Sequence, residues 1–154
     1  MTHDTKLDLV LERKIDLPVA PLWACWTRPE LLKQWFCPLP WRVTEAEMDL
    51  RPGGIFSTLM RGPDGEEHPN VGCFLEVVTE RRLVFTDAML PGFRPAREAF
   101  MTGIVVFEPN GSGTHYRAAA LHATAEAREK HEAMGFHEGW GKATDQLVAL
   151  ARSL

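Results

Sequence analysis

Over residues 7–17 (LDLVLERKIDL), Leu7, Leu9, Leu11, Ile15 and Leu17 fall on alternate positions, interrupted by Arg13. A period of two predicts a half-buried strand, with a twist or bulge near Arg13. Pro18 and Pro21 end that strand. Proline is tolerated in the first turn of a helix, so Pro21 predicts a short helix over 20–27. Leu22, Trp23 and Trp26 lie at helical spacing within it. Thr27 and Pro29 restart the chain into a second short helix over 30–36, carrying Leu31, Leu32, Trp35 and Phe36. From Pro38 the period changes. Strand-like runs follow at 41–50, 55–61, 70–79, 83–88, 99–109 and 114–121. They are parted by Pro52-Gly53-Gly54, Gly62-Pro63-Asp64-Gly65, the charged Glu80-Arg81-Arg82, a Pro- and Gly-rich loop at 90–97, and Asn110-Gly111-Ser112-Gly113. Such short links join antiparallel neighbours.

The last segment, 124–153, reads as a helix with Thr124 as its N-cap. Phe136, Trp140, Ala143, Leu147, Leu150 and Leu154 are spaced 4, 3, 4, 3, 4, a single apolar stripe. Gly135, Gly139 and Gly141 interrupt it and predict a bend or close backbone packing. The expected fold is α+β: a curved antiparallel sheet of about seven strands around a long C-terminal helix, with two short helices after the first strand. A strongly curved sheet cannot touch such a helix everywhere. The gap is filled by large side chains or left as a pocket.

Length and charge narrow the function classes. A chain of 154 residues corresponds to one domain, here expected over residues 8–154, and can bury a full core without disulfides or metal. Seventeen Lys and Arg against twenty-one Asp and Glu give a net charge of −4, which offers no excess for nucleic acid or an anionic membrane. The start (MTHDTKLDLV) has no apolar core of signal-peptide length, and no apolar run approaches the roughly 20 residues that span a bilayer. A cytoplasmic protein without a membrane span is expected. Cys25, Cys37 and Cys73 are odd in number and lack metal-knuckle spacing, so they read as reduced, buried thiols. Five Trp, eight Phe and six Met are enough large side chains to fill a solid core or to line a cavity.

Several landmarks then occur in order. Met48-Asp49-Leu50-Arg51-Pro52-Gly53-Gly54-Ile55-Phe56 resembles the D-x-R-x-G-G-x-F turn of the activator of heat-shock protein 90 ATPase homologue-like family. Met60-Arg61-Gly62-Pro63-Asp64-Gly65 is similar to its next hairpin, and Gly72-Cys73-Phe74-Leu75-Glu76-Val77 to its G-x-Y-x-E-I strand, with Phe for Tyr. Arg82-Leu83-Val84-Phe85-Thr86, Gly111-Ser112-Gly113-Thr114 and Met134-Gly135-Phe136-His137-Glu138-Gly139-Trp140 match the later landmarks. Trp23 and Trp35 fall where the family has aromatics. The family sits in the START-like, Bet v 1-like (SRPBCC) superfamily. The resemblance implies a helix-grip fold and a cavity for an apolar or amphipathic small molecule. The superfamily holds lipid carriers, polyketide cyclases, hormone receptors and oxygenase subunits, so fold alone does not fix the function. The eukaryotic chaperone activators carry a further domain for which this chain has no room.

The expected ligand-binding residues are Trp23, Trp35, Phe56, Met60, Phe74, Phe85, Phe93, Phe136 and Trp140, with Phe56 and Met60 facing Phe136 and Trp140. The loop around Phe93 is expected to gate the mouth. An enzymatic alternative, a polyketide cyclase or dehydratase acting on an aromatic substrate, would use His68 near a turn or Glu76 in an apolar strand as acid or base. Glu76 reads equally as the partner of an arginine across the sheet. Asp49 and Arg51, two apart, share a face and read as a structural pair. His131 and His137 point to different faces of one helix, without H-E-x-x-H spacing. His115 and His122 read as solvated or singly hydrogen-bonded. No phosphate loop or nucleophile elbow is present, so no cofactor and no metal are expected. The expected partner is a small hydrophobic molecule. A homodimer through a sheet edge or the short helices, and a chaperone partner, are compatible with the sequence without being indicated by it.

Overall fold

The six strand-like runs after Pro38 build a meander. A computed structural model describes residues 3–154. β1 (Asp8–Ile15) leads into α1 (Val19–Thr27) and α2 (Pro29–Leu32). Then come β2 (Arg42–Met48), β3 (Ile55–Arg61), β4 (Glu67–Val78), β5 (Arg82–Thr86), a two-residue ladder of β6 (Met89–Leu90) and β7 (Arg94–Pro95), β8 (Thr102–Asn110) and β9 (Gly113–Leu121). α3 (Ala125–Ala133) and α4 (Phe136–Arg152) close the chain. Seven strands form one sheet in the order β1-β9-β8-β5-β4-β3-β2, every neighbouring pair antiparallel. α1 and α2 carry the chain from the β1 edge to the β2 edge. This is the helix-grip architecture.

Register irregularities mark where the sheet bends. β1 pairs with β9 without a slip, so no bulge occurs at Arg13. The shifts fall between Val43 and Glu45 on β2 and between Phe74 and Glu76 on β4. A bulge increases local twist, and both lie in the half of the sheet that ends at β2. Leu83, Phe85, Val105, Phe107, Tyr116 and Ala118 point inward from β5, β8 and β9 to the main core. Val84, Ile104 and Ala119 form a smaller apolar cluster on the other face.

The C-terminal segment is two helices and not one rod. Thr124 caps α3, its hydroxyl accepting from the Ala127 N–H at 3.0 Å. The chain breaks at Gly135, whose φ of +97° is costly for a residue with a side chain. α4 then lays Phe136, Ala143, Leu147 and Ala151 into the core. Leu147 is fully buried, a burial worth about 1.5–3 kcal/mol. Leu154, expected to end the stripe, is exposed, and Ala151 takes its place one turn earlier. No helix among the described residues is long and apolar enough to cross a membrane.

Candidate functional site

Between the concave face and α4 lies a cavity of about 370 Å³. One end is built from the short helices and the curled strands. Trp26, Trp35, Phe36, Phe56 and Phe85 line it as a continuous aromatic wall. Trp26 and Trp35 meet edge to face at 4.9 Å, and Phe56 meets Phe85 in the same way at 5.1 Å. Their polar edges are tied down. The Trp35 indole donates to the Cys25 carbonyl at 2.9 Å, and the Trp26 indole donates to the Tyr116 hydroxyl oxygen at 3.1 Å. Rotamers fixed in this way keep the cavity open without mobile side chains falling into it.

The other end is built from Phe100, Met101, His131, Met134, Phe136 and Trp140. The Asp87 carboxylate accepts from the backbone N–H groups of Phe100 and Met101 at 2.8 and 3.2 Å, pinning the segment before β8. Phe100 lies against His131 with ring centroids 4.5 Å apart. Val71, Phe100 and Met134 are exposed apolar side chains at the rim, so the cavity communicates with solvent there.

Of the residues expected to contact a ligand, Trp35, Phe56, Met60, Phe85, Phe136 and Trp140 line the cavity, and so does His68. His68 is exposed and pairs in register with Met60 across β3 and β4. Trp23, Phe74 and Phe93 do not line it. Trp23 turns its ring to Phe107, 5.5 Å away, behind the wall. Phe74 is fully buried and stacks on Phe56 at 4.9 Å, supporting the wall from outside. Phe93 sits with φ +62° over Gly53, where a Cβ would meet its ring at 2.7 Å, so it covers the Pro52-Gly53-Gly54 turn and not the mouth. Glu76 also lies elsewhere. It is half-exposed on the outer surface and pairs with Arg82 at 2.6 Å, leaving it no role in the cavity. Asp49 and Arg51 do pair, at 2.7 Å, in solvent.

Among the described residues, no group of three or more His, Cys, Asp or Glu is arranged to hold a metal. Burial pushes the Cys25 and Cys37 thiols up to about 11, so neither supplies a thiolate near neutral pH. Residues 16–152 match the family model described as Activator of Hsp90 ATPase homolog 1-like protein. The chain belongs to this family. Solved structures agree over nearly the whole length. The crystal structure of protein NE0264 from Nitrosomonas europaea is 48% identical, covers 98% of this chain and 97% of its own, and superposes with a TM-score of 0.95. Protein Ms6760 from Mycobacterium smegmatis is 29% identical, with 97% and 93% covered and a TM-score of 0.79. An AHSA1-like protein from Aeromonas hydrophila, at 20% identity, 96% and 93% coverage and a TM-score of 0.73, shares the fold. No curated protein matches.

Within this member of the family, one pair escaped the sequence reading. His122 is buried, not solvated, and both its ring nitrogens are engaged. Nδ1 lies 2.8 Å from the Leu7 carbonyl oxygen, and Nε2 lies 2.8 Å from Nδ1 of His131. Burial, with the neighbouring His122 adding to it, pushes His131 from the ordinary 6.5 down to about 4. His131 is therefore neutral at physiological pH. Nothing in the sequence links positions 122 and 131, since they belong to different elements. His137, expected on the same helix as His131, starts α4 instead and pairs with Glu132 in solvent at 3.1 Å.

Proposed function

We propose that this protein binds a small apolar or amphipathic molecule in the cavity between the concave sheet and α4. The observation that carries the reading is the aromatic wall. Trp26, Trp35, Phe56 and Phe85 line about 370 Å³ that is left between well-packed elements. Pockets of this size and lining match the usual small-molecule site, in which apolar burial supplies affinity and a few polar groups set orientation. Burial of ligand surface at about 25 cal/mol per Å² would drive entry. The exposed rim of Val71, Phe100 and Met134 gives an apolar molecule a path inward.

Titration with the apolar dye N-phenylnaphthylamine tests this. Saturable one-to-one binding is expected, with quenching of the cavity tryptophans. Gly139→Leu is the matched variant. Gly139 lines the cavity and a Cβ there meets nothing within 4 Å, so a leucine can be added beside the ligand space without a clash at its base. Binding should fall at least tenfold while the variant stays folded. Dye binding unaffected by this substitution would remove the cavity reading. Saturable stimulation of an Hsp90 ATPase by the empty protein would replace it with a chaperone role.

A further inference from the structure

Two of the buried polar groups in the cavity, His131 and Tyr116, use only part of their bonding capacity, and their hydrogens can be placed by elimination. The Leu7 carbonyl can only accept, so the proton between it and His122 sits on His122 Nδ1. Burial holds His131 neutral at physiological pH, and neither histidine ring bonds a carboxylate among the described residues. With a single proton on the His122 ring, at Nδ1, its Nε2 is bare and accepts from the Nδ1–H of His131 at 2.8 Å. A neutral His131 with its proton on Nδ1 has a bare Nε2. That nitrogen has no hydrogen-bond partner among the described residues, and the His131 ring lines the cavity. The relay thus runs from the Leu7 carbonyl through two rings and ends in a fixed acceptor.

Tyr116 is the complement. It is 1% exposed and lines the same cavity. The Trp26 indole is a donor only, so at 3.1 Å the tyrosine oxygen accepts. The phenolic hydrogen is left without an acceptor among the described residues. Burial raises the pKa of Tyr116, which keeps that hydrogen in place. The hydroxyls of Thr86 and Thr144 donate to the Met101 and Trp140 carbonyls and are committed. Thr58 also lines the cavity: its oxygen accepts from the Asn70 side-chain N–H at 3.4 Å and its hydrogen is uncommitted, which makes it the rival donor that the Thr58→Val comparison below separates from Tyr116.

We infer that the cavity selects a bifunctional ligand: an apolar ring-sized body carrying a carbonyl or ether oxygen that accepts from the Tyr116 hydroxyl, and a hydroxyl or N–H that donates to His131 Nε2. This rests on the binding reading above and names its ligand class. Hydroxylated aromatic ketones are the simplest members of that class. Each such bond formed in a buried site adds a factor of roughly two to ten in affinity.

Calorimetric titration with four probes of one shape tests it: naphthalene, acetonaphthone, naphthol, and an acetylnaphthol with its groups at opposite ends. The acetylnaphthol is expected to bind at least tenfold more tightly than naphthalene, with the single-group compounds between. His131→Phe should erase the gain from the hydroxyl, and Tyr116→Phe the gain from the carbonyl, each gain read as a ratio to the same variant's naphthalene affinity. The unmodified protein gives a check that needs no variant, nitrogen-15 NMR of the histidine rings. His131 should show the Nδ1–H tautomer with a bare Nε2. Equal affinity for all four probes, an Nε2–H tautomer, or loss of the carbonyl preference in Thr58→Val and not in Tyr116→Phe would overturn the assignment while leaving cavity binding intact. Failure of all four probes, naphthalene included, would instead overturn the cavity reading and this inference with it.

Discussion

The two ends of the cavity are made from the same kind of residue and held by different forces. At the end beside α1 and α2, Trp26, Trp35, Phe36, Phe56 and Phe85 contact one another in edge-to-face and tilted pairs, and each indole N–H is spent on a neighbour. At the end beside α3, Phe100, Phe136 and Trp140 surround an imidazole instead, with ring centroids 4.5, 5.3 and 6.1 Å from His131. The first end gains stability from apolar burial, and its polar handle is the Tyr116 hydroxyl bonded to Trp26. The second gives up some burial to keep a hydrogen-bonded histidine pair, and it is also where the rim is exposed. The two ends therefore differ in their polar groups: a tyrosine hydroxyl set against a packed aromatic wall at one, a histidine ring beside the exposed rim at the other.

Four substitutions and one titration bear on that division. Trp35→Ala removes a 3% exposed indole from the first end and should cost about 3–5 kcal/mol in denaturant unfolding. A cost under about 1 kcal/mol would mean that the aromatic wall is not a stability element. His122→Ala strands the Nδ1–H of His131 without an acceptor and should cost about 1–3 kcal/mol. The acid dependence of stability comes next. The unfolded chain takes up a proton at His131 near 6.5, whereas the folded chain resists it until about 4. Between those values the unfolded state binds more protons, so stability falls as pH falls through that window. The denaturation midpoint of the protein relative to that of His131→Phe should fall as pH is lowered from 7.5 to 4; a constant difference would show that His131 takes up its proton at the same pH in the fold as in the unfolded chain. Gly139→Ala should stabilise by up to about 1 kcal/mol through helix propensity, because the new methyl enters open space. Glu76→Gln should change stability by less than about 1 kcal/mol, since its pair with Arg82 is solvent-exposed, and should leave naphthalene binding unaltered.

Much of the apolar lining at both ends was visible in the amino-acid pattern for a physical reason. Wall residues obey the periods of the elements they stand on, so Trp35, Phe56, Met60, Phe85, Phe136 and Trp140 could be placed from spacing, and all line the cavity. The misplacements arise one step further on. Trp23 and Phe74 are apolar and inward in the sense that periodicity detects, but that period does not say which side of a packed wall a ring occupies. Phe93 depends on a positive φ in a turn, which hydrophobic patterning does not register. The histidine pair was invisible because α3 (AEAREKHEA) is polar nearly throughout. Its one buried position is created by Phe100 and Phe136, which come from elsewhere in the chain. Glu76 illustrates the converse: its apolar neighbours suggested burial, and the bulge at Phe74 and Glu76 leaves it on the outside.

The left-handed glycine at 135 also decides what kind of change this scaffold tolerates. In a straight helix, position 131 would stand about 140° around the axis from position 136, and both could not meet. The corner brings their rings within 5.3 Å and gives the two arms separate aims. The long arm must keep its register with the sheet. The short arm is held by its cap, its corner, the Arg128 bond to the Asp8 carbonyl and the His131 bond to His122, so exchanging its inward residue alters the cavity lining at the cost of one hydrogen bond while the grip is preserved.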